Sequence, residues 1–371
     1  MDFFSFPYLI LILVYVVIYF NENRSKQENN RHIRLLCAFI FFIFFGFRGY
    51  VGSDWFNYEY YYSETTLNEW TVVDYEIGFS FLAKLFHDLG LTYNMFVLFI
   101  TLIQTFLWNR FLKINSSQTA LSYIVLISIF PLLILDLLRN FTSILIAVQA
   151  IEFVKKNQKI KAAIIILCST LFHATGVFLL FIIFINANYF KGWLLITLLF
   201  FGIVVYILQI NFFNTIVDFA GSIIGGRMQY LASTITESDK TYGLRFGILE
   251  KLFIVLLLLI NYKRIVSNKL IAPIYFNSFF FYCFILLYCS TSETLINRFS
   301  LLFFWAYVMI VCDLKILIRN RNITVVVIFI CFLKTFITFN RDIYRYSNNL
   351  FTEDSYYERK LIREEAYENR E

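Results

Sequence analysis

The sequence predicts an all-α polytopic membrane protein of about twelve transmembrane helices. Three observations predict it. The 371 residues are 59% hydrophobic and only 16% charged, whereas soluble domains carry about a quarter charged residues. Apolar runs of roughly 18 residues recur along the chain, as membrane spans require. These runs are continuous, rich in Leu, Ile and Phe, and the whole chain has three prolines, so helices are favoured over the alternating strands of a barrel.

Twelve spans are expected, near 3–20, 33–47, 93–109, 121–138, 140–154, 160–173, 174–190, 192–210, 246–262, 271–289, 299–314 and 323–339. The first, LILVYVVIYF, lacks a basic leader and a small-residue cleavage site and reads as a retained span. The loops NENRSKQENNRHIR, RFLKINSSQT, KKNQKIK, Lys191, KRIVSNK and KILIRNRN hold seventeen Lys and Arg, against seven in the alternate loops. By the positive-inside rule the first set faces the cytoplasm and both termini lie outside, with large outside loops at about 48–92 and 211–245. That orientation requires the stretch 162–187 to form two short spans meeting at His173, which brings His173 to the outer face. Residues 1–339 form one membrane domain. The tail 340–371, with six basic and eight acidic residues, is expected to be a solvated helix or disordered and receives no chemistry.

In IGFSFLAKLFHDLGL (77–91), Phe79, Leu82, Phe86 and Leu89 fall on one helical face, with Lys84, His87 and Asp88 elsewhere. That spacing predicts an amphipathic helix on the outer membrane surface. The six cysteines lie in or beside apolar spans without metal-ligand spacing, so they read as small buried hydrophobes and no metal site is expected. The formal charge of +6 is spread through short loops between spans, a topological pattern that does not imply nucleic acid.

The outside loops differ from the inside ones. Single arginines stand at span ends on the side that disfavours them: Arg48 after IFFIFFGF, Arg139 after PLLILDLL and Arg298 before FSLLFFWA, with Arg227 in a larger loop. Ionisable groups at such depth are functional candidates, and a guanidinium offers a fork of donors matched to phosphate oxygens. Pairing with acids or lipid headgroups is the alternative for each. Asp54 and His173 are candidate proton-handling groups, since a general base needs a pKa near the working pH. Asp54 is equally a turn-former in GSDW, and His173 a satisfied structural histidine. Asp136 is expected to pair with Arg139 three residues along a helix. Glu76 is either a helix-start residue or a sugar contact. Tyr58 and its aromatic neighbours are either an interfacial belt or a stacking surface for sugars.

FRGYVGSDWFNYEYYY resembles the motif of the EpsG/Wzy-type polysaccharide polymerases: aromatic-Arg, a spacer, Gly-Thr/Ser-Asp, then spaced tyrosines. DYEIGFSFLAKLF resembles the family's E-x-G-F segment, and LRNFTSILIAVQAIEFVKKNQKIKAAIIILCSTLFHATGVFLL its Leu-Arg helix, basic turn and LFH-small-small segment. INRFSLLFFW resembles its C-terminal arginine span. Asn140, Thr142 and Ser53 stand where the family more often has Gln, Ala and Thr.

The resemblance implies a GT-C-like membrane glycosyltransferase. Such an enzyme joins oligosaccharide repeat units carried on undecaprenyl diphosphate at the outer face of the bacterial inner membrane, making O-antigen or capsular polysaccharide. It implies no metal, cofactor or nucleotide sugar, membrane lipid as surroundings, and a chain-length regulator protein as partner. In that frame Arg48, Arg139, Arg227 and Arg298 would hold the donor diphosphate, Asp54 or His173 would deprotonate the acceptor hydroxyl, and Tyr58 and Glu76 would position sugars. An O-antigen ligase, a lipid-linked oligosaccharide flippase, and a scaffold or small-solute transporter are the rival expectations.

Overall fold

The computed structural model describes residues 3–24, 30–71, 74–185, 188–211, 246–318, 320, 322–351 and 355–368. The described residues are helical, without a β-strand; one isolated antiparallel bridge joins Arg48 to Asn348. The chain divides into two compact units, residues 1–180 with 321–371, and residues 181–320.

The first unit contains α1 (Phe6–Arg24), α2 (Asn30–Gly46), α3 (Trp55–Ser63), α4 (Ile77–Asp88), α5 (Tyr93–Asn115), α6 (Thr119–Ile129), α7 (Pro131–Leu135), α8 (Leu138–Ala147), α9 (Ala150–Lys155) and α10 (Lys159–Ser169). The second contains α11 (Ile182–Ile185), α12 (Gly192–Leu208), α13 (Phe246–Ile260), α14 (Tyr262–Asn268), α15 (Pro273–Tyr288), α16 (Glu293–Phe299) and α17 (Phe304–Ile318). The chain then returns to the first unit as α18 (Asn322–Phe339) and α19 (Tyr356–Glu368).

Among the described residues, four helical stretches are long and apolar enough to cross a membrane: Phe6–Asn23, Tyr93–Asn115, Leu295–Ile318 and Asn322–Phe339. Shorter apolar helices cover Thr119–Ile129, Ala174–Ile185, Gly192–Leu208 and Pro273–Tyr288. The continuous spans expected at 121–138 and 140–154 are instead a succession of short helices, α6 to α9. Pro131 sits at the first position of α7, where it has no amide hydrogen to continue α6. At the break after Ala147, the buried Gln149 amide donates to the carbonyl of Leu145 (2.9 Å), at the end of the interrupted helix, and to that of Leu107 on α5 (3.0 Å). The chain also breaks between Ser169 and Ala174, at the expected junction near His173, and continues as a 3₁₀ helix over Ala174–Phe181.

Burial explains the core of the first unit. Both carboxylate oxygens of Glu22, at the end of α1, accept the free amides of Thr119 (2.8 Å) and Ala120 (3.1 Å), so an anion closes the N-terminus of α6. Tyr8 of α1 stacks on Phe339 of α18 at 3.8 Å. In the second unit, Asn277 of α15 is fully buried and caps an irregular stretch, donating to the carbonyls of Ile185 (2.6 Å) and Asn188 (2.8 Å) and accepting from the amide of Phe190 (3.1 Å).

Two expectations are corrected here. In α4, Phe79, Leu82 and Phe86 do share a packed face, against Tyr58, Tyr62, Phe96 and Leu138. Lys84, however, is fully buried and ion-paired with Asp74 at 2.8 Å, while Leu89 is exposed. A charged ammonium is tolerated there because Asp74, the Glu69 carbonyl and the Trp70 ring surround it. The tail is also no free appendage: residues 341–351 and 355–368 fold back over the 47–56 segment.

Candidate active site

Gly52 of the first motif is explained by what lies beside it. Gly52 has φ +96°, a left-handed conformation open to glycine. A Cβ there would collide with a carboxylate oxygen of Asp136. That carboxylate is buried (2% exposed) and accepts from the amide of Ser53, the Ser53 hydroxyl (3.1 Å) and the amide of Asp54 (3.2 Å). Asp136 is therefore the anchor of the Gly-Ser-Asp turn. Its expected pairing with Arg139 does not form, because the helix breaks between Leu135 and Leu138.

Asp54 precedes α3 as its N-cap residue, yet its side chain makes no capping bond. The alternative of a turn-former whose carboxylate is spent on the backbone is not what the structure shows. Burial, followed by the neighbouring charge of Asp136, pushes the Asp54 carboxyl up to about 6.

Glu76, Gly78, Arg139 and His173 meet at a second corner. The amides of Gly78 (2.8 Å) and Phe79 (3.2 Å) both donate to the carbonyl of Leu171, docking the first turn of α4 onto the loop that carries His173. Gly78 permits this approach, since an added Cβ would lie 2.8 Å from that backbone oxygen. Glu76 uses both carboxylate oxygens, one on the amide of Ala174 (3.1 Å) and the other in an ion pair with Arg139. Burial alone would raise the Glu76 carboxyl, but the Arg139 guanidinium holds it below the usual range.

The Arg139 guanidinium also lies 3.8 Å from the centre of the Tyr75 ring and 5.9 Å from that of Tyr58. This is a cation held by aromatic faces as well as by a carboxylate. Its buried Nε has no hydrogen-bond partner among the described residues. The Thr175 amide donates to Nδ1 of His173 (3.3 Å), which lies 2.7 Å from the Thr175 hydroxyl. An Nδ1 that accepts a backbone N–H leaves the proton of the neutral ring on Nε2.

Arg48 occupies a different setting. It is 5% exposed, donates to the carbonyl of Phe45 (3.2 Å) and lies among Tyr93, Asp136, Tyr8 and Tyr346. The tail roofs it: the amide of Gly49 donates to Ser347 (3.2 Å), that of Gly52 to Ile343 (3.0 Å) and that of Asn349 to Phe47 (2.8 Å). The Tyr344 hydroxyl reaches Asp136 at 3.5 Å. From α19, Arg363 donates through Nε to the carbonyl of Ser53 (3.0 Å) and lies over the Phe56 ring, while Tyr356 packs edge-on to Trp55 at 5.5 Å.

Asp54, Tyr58, Glu76, Arg139 and His173 thus belong to one neighbourhood of the first unit, with Arg48 buried beside it. Arg298 is exposed on α16 of the second unit, and Arg227 lies outside the described residues. Three participants went unread in the sequence: Asp136 as anchor, Tyr75 as the ring under Arg139, and the tail. A lone acid inside the apolar run LLILDLL was the available signal for Asp136. Nothing local in the tail marked it.

No curated protein and no solved structure matches the chain. The model of the EpsG family matches residues 31–356, a span that takes in every residue of this neighbourhood and ends where α19 begins. The chain belongs to the EpsG family.

Proposed function

We propose that the protein is a membrane glycosyltransferase that polymerises undecaprenyl-diphosphate-linked oligosaccharide repeat units at the outer face of the bacterial inner membrane, in O-antigen or capsular polysaccharide synthesis. Family membership favours polysaccharide polymerisation. The observation that carries the chemistry is the meeting of Asp54, a carboxylate that makes no helix-capping bond and accepts a long hydrogen bond from the Ser53 hydroxyl (3.5 Å), with an aromatic-bedded arginine, Arg139, and the Glu76–His173 corner.

In this reading Asp54 accepts the proton of an acceptor sugar hydroxyl, whose oxygen attacks the anomeric carbon of the donor chain. The bond between that carbon and the phosphate oxygen breaks, and the electron pair leaves with undecaprenyl diphosphate. A carboxylate with a pKa of about 6 is matched to this task near neutral pH. His173, bearing its proton on Nε2, serves as a donor to the developing anion, so the base is assigned to Asp54 rather than His173. Arg139 stabilises the leaving charge, a preorganised electrostatic role.

Arg48 and Arg139 share their surroundings with Glu76, Asp54 and Asp136, so this cluster holds no surplus of positive charge for a diphosphate. Arg48 acts by holding the first loop. Tyr58 and Glu76 keep Arg139 in place.

Deleting the protein and running the surface polysaccharide on a gel tests the reading. A polymerase deletion leaves single repeat units on the lipid A core, or abolishes polymer where the product is capsule. A bare core with accumulating lipid-linked polymer contradicts it in favour of a ligase. A bare core with inward-facing single units favours a flippase, and an intact ladder a non-catalytic role.

A further inference from the structure

Beside Arg139 the first unit opens into a cleft of about 550 Å³ that the site described so far does not use. Its walls include Tyr60, Tyr61 and Tyr75, with Glu64, Glu69 and Asp74 among the polar groups at its edge. We infer that this cleft holds the sugars of the acceptor repeat unit, and that it selects uncharged or amine-bearing sugars over acidic ones. The inference rests on the polymerase reading and deepens it.

Three features support it. The first is continuity with the reacting groups. Tyr75 lines the cleft and also carries Arg139 on its ring, so a sugar seated there is one aromatic ring from the cation. Asn57, Tyr61 and Glu64 follow Asp54 by three, seven and ten residues. Helical spacing therefore sets them along one ridge that starts at Asp54. The distance along α3 from Asp54 to Tyr61 is about 10 Å, the length of one to two sugar rings.

The second feature is the aromatic surface. Tyr60 is 62% exposed on a helix where Tyr58 and Tyr62 are buried and Tyr61 is half-buried. An exposed ring with a hydroxyl offers a flat apolar face and a hydrogen-bonding edge, which is what the two kinds of sugar surface require.

The third is charge. Behind the cleft, buried Lys84 neutralises Asp74, and the Tyr61 hydroxyl donates to the same carboxylate at 2.9 Å. Glu64 and Glu69 have no ion pair among the described residues. They accept hydrogen bonds from sugar hydroxyls or an ammonium and repel a carboxylate. The floor is fixed by the Lys84–Asp74 pair and by the bond from Tyr61 to Ser80 (2.9 Å), so ordering the ligand does not require ordering the wall.

The test uses the full-length protein in detergent and, as probe, the oligosaccharide released by mild acid from the host cell's lipid-linked repeat units. Its free non-reducing end reproduces the acceptor. Wild type is expected to bind it, and Tyr60→Ala to weaken binding about tenfold, the loss of one stacking contact of roughly 1.4 kcal/mol. Tyr60→Phe retains the ring and most of the affinity. Glu64→Lys weakens binding of this probe and does not weaken binding of an oligogalacturonate. Tyr60 and Glu64 are exposed, so these variants fold.

Unchanged binding by Tyr60→Ala, no binding by wild type, or a released unit whose non-reducing sugar is acidic would each overturn the inference while the gel phenotype of the deletion still stands. An intact ladder in the deletion strain would overturn the polymerase reading, and binding of the probe remains measurable in that case.

Discussion

Arg48 and Arg139 are the same residue type in the same kind of place, each just past an apolar run, yet the structure gives them opposite lives. Arg139 is partly accessible, ion-paired with Glu76 and laid on Tyr75. Arg48 is buried under the returning tail and bonded to its own helix end. A guanidinium that can meet a ligand and one that locks a loop differ in what covers them. The cover over Arg48 comes from residues about 300 positions later in the chain.

Substituting both arginines is the sharpest way to break this comparison. Arg139→Ala is expected to lower polymerisation by about 10²–10³-fold, the loss typical of a preorganised electrostatic donor, at a normal membrane level of protein. Arg48→Ala is expected instead to lose folded protein. The lost bond to Phe45 and the hole left behind cost on the order of 2 kcal/mol, and activity falls only in proportion to the folded fraction. Thermal unfolding of each purified variant, beside activity per folded molecule, separates the two. Equal behaviour would erase the distinction.

The Gly78→Ala variant comes next in size. Its new methyl meets the backbone oxygen of Leu171, which cannot swing away as a side chain could. Overpacking of that kind costs about 1–3 kcal/mol and pries the His173 loop from α4. The expected readout is reduced thermal stability with a larger drop in activity than stability alone explains.

Smaller still is a change in pH profile. As the base, Asp54 must be ionised, so the rate should fall as pH drops through about 6. Asp136 raises that value by like charge. Asp136→Asn keeps an acceptor oxygen for the Ser53 and Asp54 amides and removes the charge, so the acid limb should move to lower pH. An unmoved limb would detach Asp136 from Asp54. Ending the chain after Ser355 should have the mildest effect, a few-fold loss of activity, because it removes the Arg363 bond to Ser53 and the Tyr356 packing while leaving Ile343–Asn349 on the first loop. Wild-type activity in this truncation would show that α19 contributes nothing there.

These contrasts also mark what the sequence made legible. Composition and run length were enough to read a helical membrane protein, because a lipid environment leaves few choices for a backbone. The first motif and E-x-G-F supplied residues that the fold brings together around Arg139. Gly52 and Gly78 are fixed by close approaches, of the Asp136 carboxylate and of the Leu171 carbonyl, that allow little substitution. Helix continuity was not legible at 121–154, since an apolar run has the same composition whether or not Pro131 and Gln149 interrupt it. Partner choice escaped as well. Asp136 was read toward Arg139 three residues away, but its carboxylate turns to amides more than eighty residues earlier. The docking of the tail escaped for a related reason: the expected charged helix forms, but only the fold shows Arg363 and Tyr356 meeting the first loop.

The central claim is that the Asp54–Arg139 neighbourhood is a reaction centre. It is tested most directly by expressing Asp54→Asn from its own promoter in the deletion strain and resolving the surface polysaccharide by length. The account predicts normal membrane levels of the protein with only single repeat units, or no polymer where the product is capsule. A full-length ladder from Asp54→Asn would contradict it.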